Sequence, residues 1–165
     1  MATVIRGDDN FDSANAGKVL QIVNVQDAVI ATSTATIPLD DTIPQITEGT
    51  EFMTLAITPT SATSRLQIEV SMLLANGSIS LIGIALFQDT TASAIASTIT
   101  YDNANIELVN ISLSHNMVAG TTSETTFKIR MGSHNGSTVT FNGRGGSREY
   151  GGTNKSSITI TEYAA

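Results

Sequence analysis

"RLQIEVSM", residues 65–72, alternates without a break. Leu66, Ile68, Val70 and Met72 fall on one side of an extended chain, and Arg65, Gln67, Glu69 and Ser71 on the other. A 3.6-residue helical period would mix the two sets, so the stretch is a strand that buries one face and wets the other. The same period returns downstream. Phe127, Ile129 and Met131 alternate with Thr126, Lys128 and Arg130. Val139 and Phe141 alternate with Thr138 and Thr140, and Ile158 and Ile160 with Ser157, Thr159 and Thr161.

Working outward, further strands are expected at 18–26, 28–37, 52–58, 78–88, 95–101 and 106–115. Val19 to Val25 is apolar without clean alternation. The phase changes at Leu81–Ile82 and Leu108–Val109 predict either a bulge or a strand buried on both faces. "TASAIAS", 91–97, is expected to form one helical turn. Asn-Gly at 76–77, 135–136 and 142–143 favours tight hairpins, because both residues tolerate positive φ. Pro38, Pro44 and Pro59 sit between strands, where a missing N–H does no harm. About ten short strands with frequent turns predict an all-β fold, an antiparallel β-sandwich or jelly roll over residues 18–165.

Composition narrows the function. The 165 residues are 41% hydrophobic, enough for one domain with a real core. Only 14% are charged, against roughly a quarter in most domains, so Ser, Thr, Asn and Gln must carry the surface. The net charge of −7 argues against nucleic acid as a partner. Residues 1–107 hold 12 acids and 3 bases, and residues 108–165 hold 3 acids and 5 bases. An asymmetry of this kind can guide docking between copies or onto a partner. There is no cysteine, hence no disulfide framework and no thiolate zinc site. "LIGIALF" at 81–87 is the longest apolar run, far short of a bilayer span, and no secretory signal is expected within Met1 to Ile30.

Residues 1–17 are polar, turn-rich and aperiodic, and are read as an extended N-terminal arm ahead of the sandwich. Within it, Arg6-Gly7-Asp8 matches an adhesive tripeptide that arises readily by chance. Asp8, Asn10 and Asp12 share the alternate spacing of a calcium loop, but Ser13 and Val19 stand where that loop needs Gly and Glu. Asp40-Asp41 is read as a turn, since neighbours on one strand point to opposite faces. His115 continues the Val109, Ile111, Leu113 phase, and His134 precedes an Asn-Gly turn. Neither belongs to a recognisable nucleophile or metal motif. No catalytic residue, metal ligand or cofactor is expected. Without Trp, and with Tyr101, Tyr150 and Tyr163 scattered, a deep sugar site is not expected either.

The remaining candidate is "FNGRGGSREYGGTNKSSITI", 141–160. Five glycines lie within 142–156, together with Arg144, Arg148, Tyr150 and Lys155, in a chain with only 8 Lys and Arg. A loop this long is commonly functional or disordered. Arg144 and Arg148 can each grip a carboxylate with a planar fork. Asp40, Asp41, Glu48 or Glu51 of a neighbouring subunit offer such carboxylates, so a subunit interface is the expected role of the loop. Contact with an anionic host glycan and a merely solvated loop are the alternatives.

Several stretches in a fixed order carry a resemblance. They are "GKVLQIVNVQ" (17–26), "IPLDDTIPQITEGTEFMTLAITPTSATSRLQIEV" (37–70), "ALFQD" (85–89), "AGTTSETTFKIRMGSHNGSTVTFNG" (119–143) and "REYGGTNKSSITITEY" (148–163). Together they resemble a module of tailed bacteriophages found among tail-fibre and other virion proteins. "ATVIRGDDNFD" is similar to the attachment arm that often precedes it. The resemblance implies a jelly-roll β-sandwich that trimerises on the outer surface of a virion, without catalytic residues. It also implies that residues 1–17 join other virion proteins. A fibre or receptor-binding domain touching a host glycan or protein is the leading function, and a capsid decoration protein the alternative. A polysaccharide-degrading enzyme would require paired carboxylates about 5–10 Å apart.

Overall fold

Leu66, Ile68, Met72 and Leu74 are fully buried and Val70 nearly so, so the face marked by alternation is the face that meets the core. Their strand belongs to a computed structural model that describes residues 17–103 and 106–165. The N-terminal arm, with both of its motif spacings, lies outside the described residues except for Gly17, whose N–H donates to Ala164 O at 3.0 Å.

The strands are β1 (Val19–Asp27), β2 (Ala31–Ser33), β3 (Thr50–Ile57), β4 (Arg65–Asn76), β5 (Ser80–Gln88) and β6 (Ala96–Asp102). They continue with β7 (Leu108–Val118), β8 (Thr125–Ser133), β9 (Val139–Phe141), β10 (Gly143–Arg144), β11 (Ser147–Arg148) and β12 (Ser156–Tyr163). The long strands form two antiparallel layers, β1-β12-β4-β7 and β3-β8-β5-β6. β9 pairs with the far end of β4 beyond β12, and β2 pairs with β9. Every connection between consecutive long strands crosses from one layer to the other, except the β5–β6 hairpin. That winding is a jelly roll.

Period two explains the core. β4, β7 and β12 send Leu66 to Leu74, Ile111, Leu113, Ile158 and Ile160 inward, against Met53, Ile57, Ile82, Ile84, Leu86, Phe127, Ile129 and Met131 of the other layer. Phe52 closes one edge by packing on Phe141, ring centroids 5.2 Å apart. Val19 to Val25 lost its alternation because a bulge lies between Val19 and Gln21, and a second lies between Glu51 and Met53.

The phase change in β5 is a strand buried on both faces. Ile82, Ile84 and Leu86 enter the main core, while Ala85 and Phe87 pack outward against Ile37, with Ile46 and Ala94 beside them. The cover is a strap, residues 34–49, part of which was expected as the strand 28–37. Opposed glycines Gly83 and Gly132 lower the sheet beneath it. A Cβ on Gly132 would stand 2.6 Å from Ala35 O and 2.8 Å from Ile37 N. Arg130 fastens the strap's end, donating from Nε to Glu48 O (2.7 Å) and from its terminal nitrogen to Gly49 O (2.8 Å).

Two local expectations fail. Residues 91–97 form no helical turn. Ser93 bridges Gln45 and Ala94 N donates to Pro44 O, so the segment lies extended along the strap. None of the three Asn-Gly pairs closes a two-residue hairpin, because β4 passes to β5, and β8 to β9, without pairing. Gly145-Gly146, both at positive φ, turns the β10–β11 hairpin instead. In β7, the Leu108–Val109 phase change marks only the strand's start, and its register with β4 is unbroken.

Candidate functional site

The 142–156 loop is closed at its base by its own end residues. Buried Asn142 has φ +56°, which an Asn side chain tolerates. Its Oδ1 accepts from Ser156 N (3.0 Å) and Ser156 Oγ (2.7 Å), and its Nδ2 donates to Asp27 O (2.8 Å) and Val29 O (3.1 Å). The excursion is therefore a compact loop with joined ends.

Its interior is braced in turn. Arg144 Nε donates to Glu149 Oε1 at 2.7 Å, so the first arginine is engaged within the loop. Gly152 N donates to Glu149 O, and Thr153 N and Oγ1 both donate to Tyr150 O, drawing 150–152 into one 3-10 turn. The Arg148 side chain lies along Gly152, its Cδ and guanidinium 3.2–3.4 Å from where a Cβ would be. Tyr150 is held at φ +47° and is 79% exposed. A bulky side chain in the left-handed region is costly and persists only when its surroundings fix it. Arg148 and Lys155 are exposed, and among the described residues neither makes an ion pair. The loop thus sets Arg148, at the end of β11, against the turn that carries Tyr150, while Lys155 stands at its exit strand.

Of the carboxylates considered as partners, several have intrachain roles. Glu48 Oε2 accepts from Gln45 N at 2.9 Å, and Glu51 lies 3.9 Å from Arg130. Asp40 Oδ1 accepts from Thr42 Oγ1 (2.5 Å) and Thr42 N (2.8 Å). The Thr42 hydroxyl, and then the Thr42 N–H, hold its carboxyl below the usual range. Asp40 and Asp41 border an open cavity of ≈ 380 Å³ between Thr42–Pro44 and Ala94–Ser97. A second cavity, ≈ 410 Å³, lies on the outer face of β12, β4 and β7. Hydroxyls of Ser71, Ser112, Ser114, Ser157 and Thr159 line it with one carboxylate, Glu69. These groups can hydrogen-bond a polar surface; among them is no base or nucleophile pair.

His115 faces the core edge, half-buried, and His134 is exposed in the turn after β8 with Nδ1 3.3 Å from Ser80 Oγ. Among the described residues no three His, Cys, Asp or Glu side chains gather to hold a metal. Sequence reasoning missed Glu162, a fully buried carboxylate. Its Oε1 accepts from Ser64 Oγ (2.5 Å), Thr60 N (2.8 Å) and Thr60 Oγ1 (2.9 Å), and its Oε2 from Gln21 Nε2 (2.6 Å). Burial raises its pKa, and the donors from Ser64, Gln21 and Thr60 outweigh it, leaving the group below the ordinary value. The signal was present: Glu162 continues the inward phase of Ile158 and Ile160.

No protein-family model matches the chain, and no curated protein matches it. Solved structures resemble the chain only remotely. The EclA C-terminal domain, a sugar-binding protein, is 14% identical with a TM-score of 0.38, over 69% of this chain and 74% of that one. The infectious bursal disease virus VP2 subviral particle is 10% identical with a TM-score of 0.40, over 91% of this chain and 38% of that one. The enzymatically active domain of bacteriophage CBA120 tailspike protein 4 is 16% identical with a TM-score of 0.29, over 74% of this chain and 19% of that one. This chain therefore spans well under half of either viral protein, and at these identities and scores the likeness carries no argument.

Proposed function

We propose that the chain is a non-enzymatic structural module of a phage virion, a homotrimeric fibre or receptor-binding domain on the outer surface of the particle. In this reading residues 1–17 attach it to other virion proteins. The ordered sequence stretches resembling virion modules support the reading, as does a surface built from hydroxyl and amide side chains. The observation that carries host contact is the braced loop. It keeps a largely exposed tyrosine in a costly backbone conformation, on a turn against which packs an arginine that makes no ion pair within the described residues. Strained residues of this kind cluster at functional sites. An aromatic face beside cations suits an anionic saccharide or an acidic protein surface. Arg144 is not counted in the contact, because Glu149 holds it.

The test is binding of labelled protein and of labelled particles to host cells, with Tyr150→Ala and Arg148→Ala. Binding is expected to fall at least tenfold while trimer mass and particle association stay unchanged. Unchanged binding refutes the loop as the host contact. Imaging the label on intact particles decides the placement. A label spread over the capsid faces makes the protein a decoration protein, and a label absent from particles ends the virion reading.

A further inference from the structure

Two apolar patches of opposite charge lie on different layers of the sandwich. The first is at one end of the β1-β12-β4-β7 layer. Register sets Val19, Tyr163, Arg65 and Val118 in one row across four strands, roughly 14 Å wide at the usual strand spacing. Ile22 stands in the next row, and Leu20 is extruded by the bulge. Val19, Leu20, Ile22 and Val118 are 38–61% exposed. The charges beside them are Lys18 and Arg65, both exposed.

The second patch is on the outer face of the other layer, where the strap leaves β6 uncovered. Leu39, Ile43, Ile99 and Tyr101 are 53–58% exposed. Ile99 stands opposite Gly83, which has no side chain, so a groove of ≈ 210 Å³ opens between Ile99 and Leu39. The charges beside it are Asp40 and Asp41, both exposed. Among the described residues none of these four charged groups makes an ion pair.

Single exposed apolar residues are ordinary, but groups such as Val19, Leu20 and Ile22 on β1, and Leu39, Ile43, Ile99 and Tyr101 beside β6, on a Ser/Thr surface mark contact sites. We infer that these two patches are the two halves of one contact between copies of this chain, with Leu20 and Ile22 of one copy seated on the Leu39–Ile99 groove of the next, and Lys18 and Arg65 facing Asp40 and Asp41. Opposite charge at the margins matches the patches to each other and sets each against a second copy of itself. Because the halves differ, the contact is heterologous and joins copies head to tail, closing into a ring when the rotation allows. The inference rests on the self-assembly reading above and assigns its surfaces, leaving the 142–156 loop outside the contact.

The experiment uses the full chain and light scattering across a concentration series. The variants are Asp40→Lys with Asp41→Lys, Lys18→Glu with Arg65→Glu, and all four together. Wild type is expected at three times the 17.3 kDa protomer mass. Each double variant should weaken assembly at least tenfold through like-charge contact, and the fourfold variant should restore it. All four positions are exposed, so an unchanged thermal melt shows that folding is intact. Ile99→Thr gives a milder loss of the apolar half without any charge change. Trimers that survive every variant, or fail to return in the fourfold one, overturn this contact and leave the virion reading standing. A monomeric wild type overturns the contact and the trimer together, while imaging of particles judges the virion reading separately.

Discussion

Glu162→Gln removes a charge that the jelly roll encloses beneath the β3–β4 turn. The carboxylate gathers Ser64 Oγ, Thr60 N and Thr60 Oγ1 on one oxygen and Gln21 Nε2 on the other. A glutamine must present its NH₂ either to Gln21 Nε2 or to the Thr60–Ser64 donors, so at least one donor pair is set against another donor. Hydrogen bonds to a charged group contribute about 1.5–3 kcal/mol each, and a buried donor left unpaired costs about 1–3 kcal/mol. A net loss of about 3 kcal/mol follows, which lowers the melting temperature of a domain this size by roughly 6–12 °C. The pH dependence has a definite sign. The folded-state pKa lies below the unfolded one, so in the acid range the unfolded state binds more protons. The contribution is complete above the unfolded value, about 4.3, and is lost as pH falls through the folded value. Calorimetric melts from pH 7 down to pH 3 should show wild type losing stability faster than Glu162→Gln, with the two curves converging in acid. Equal stability at pH 7, or parallel curves, would refute the claim that these donors act on a buried carboxylate.

Two further substitutions test the parts that position the loop and the strap. Gly132→Ala places a methyl against Ala35 O and Ile37 N, so it should cost about 2–3 kcal/mol and loosen the strap, read as faster amide exchange at Gly49 and Ala94. Asn142→Ala strands Asp27 O, Val29 O and Ser156 N and puts alanine at positive φ; a loss of about 3 kcal/mol in chemical denaturation is expected, and a loss under 1 kcal/mol would show that the loop base is held elsewhere.

Each long strand was legible because its signal is local. A residue on β4 announces its face through neighbours two positions away, and the whole run of Leu66 to Leu74 obeys. The strap was not legible, because its causes are distant in sequence. It lies where it does because Gly83 and Gly132 face each other on adjacent strands, and because Arg130 reaches the carbonyls of Glu48 and Gly49. Pro38 and Pro44 marked an interruption without saying that the chain would return over the sheet. The Asn-Gly pairs misled for a related reason. Positive-φ tolerance predicts a turn, but the partner of the strand leaving that turn is set by packing between layers. The loop's glycines did mark its extent, and Asn142 and Ser156 do bound it. What they could not reveal is that Glu149 pairs with the exposed Arg144, while Arg148 and Lys155 make no ion pair among the described residues.

The charge asymmetry shows the limit most clearly. Along the sequence, acids gather before residue 108 and bases after it. In space the division is different, because Lys18 and Arg65 belong to the acidic stretch yet stand together at one end of the β1-β12-β4-β7 layer. Beyond them, the outer face of that layer is almost without charge. Its rows run Ile22, Thr161, Gln67, Asn116, then Asn24, Thr159, Glu69, Ser114, then Gln26, Ser157, Ser71, Ser112, with Glu69 the single ionised group. Hydroxyl and amide side chains there satisfy each other, as Asn24 Nδ2 does on Thr159 Oγ1 at 2.8 Å, and they lose less rotamer entropy on ordering than lysines would. The low charge of the chain therefore shows most on that face, while Lys18 and Arg65 sit beside one apolar patch and Asp40 and Asp41 beside the other. A surface arranged this way gives a second copy few places to dock, and each of those places has a sign.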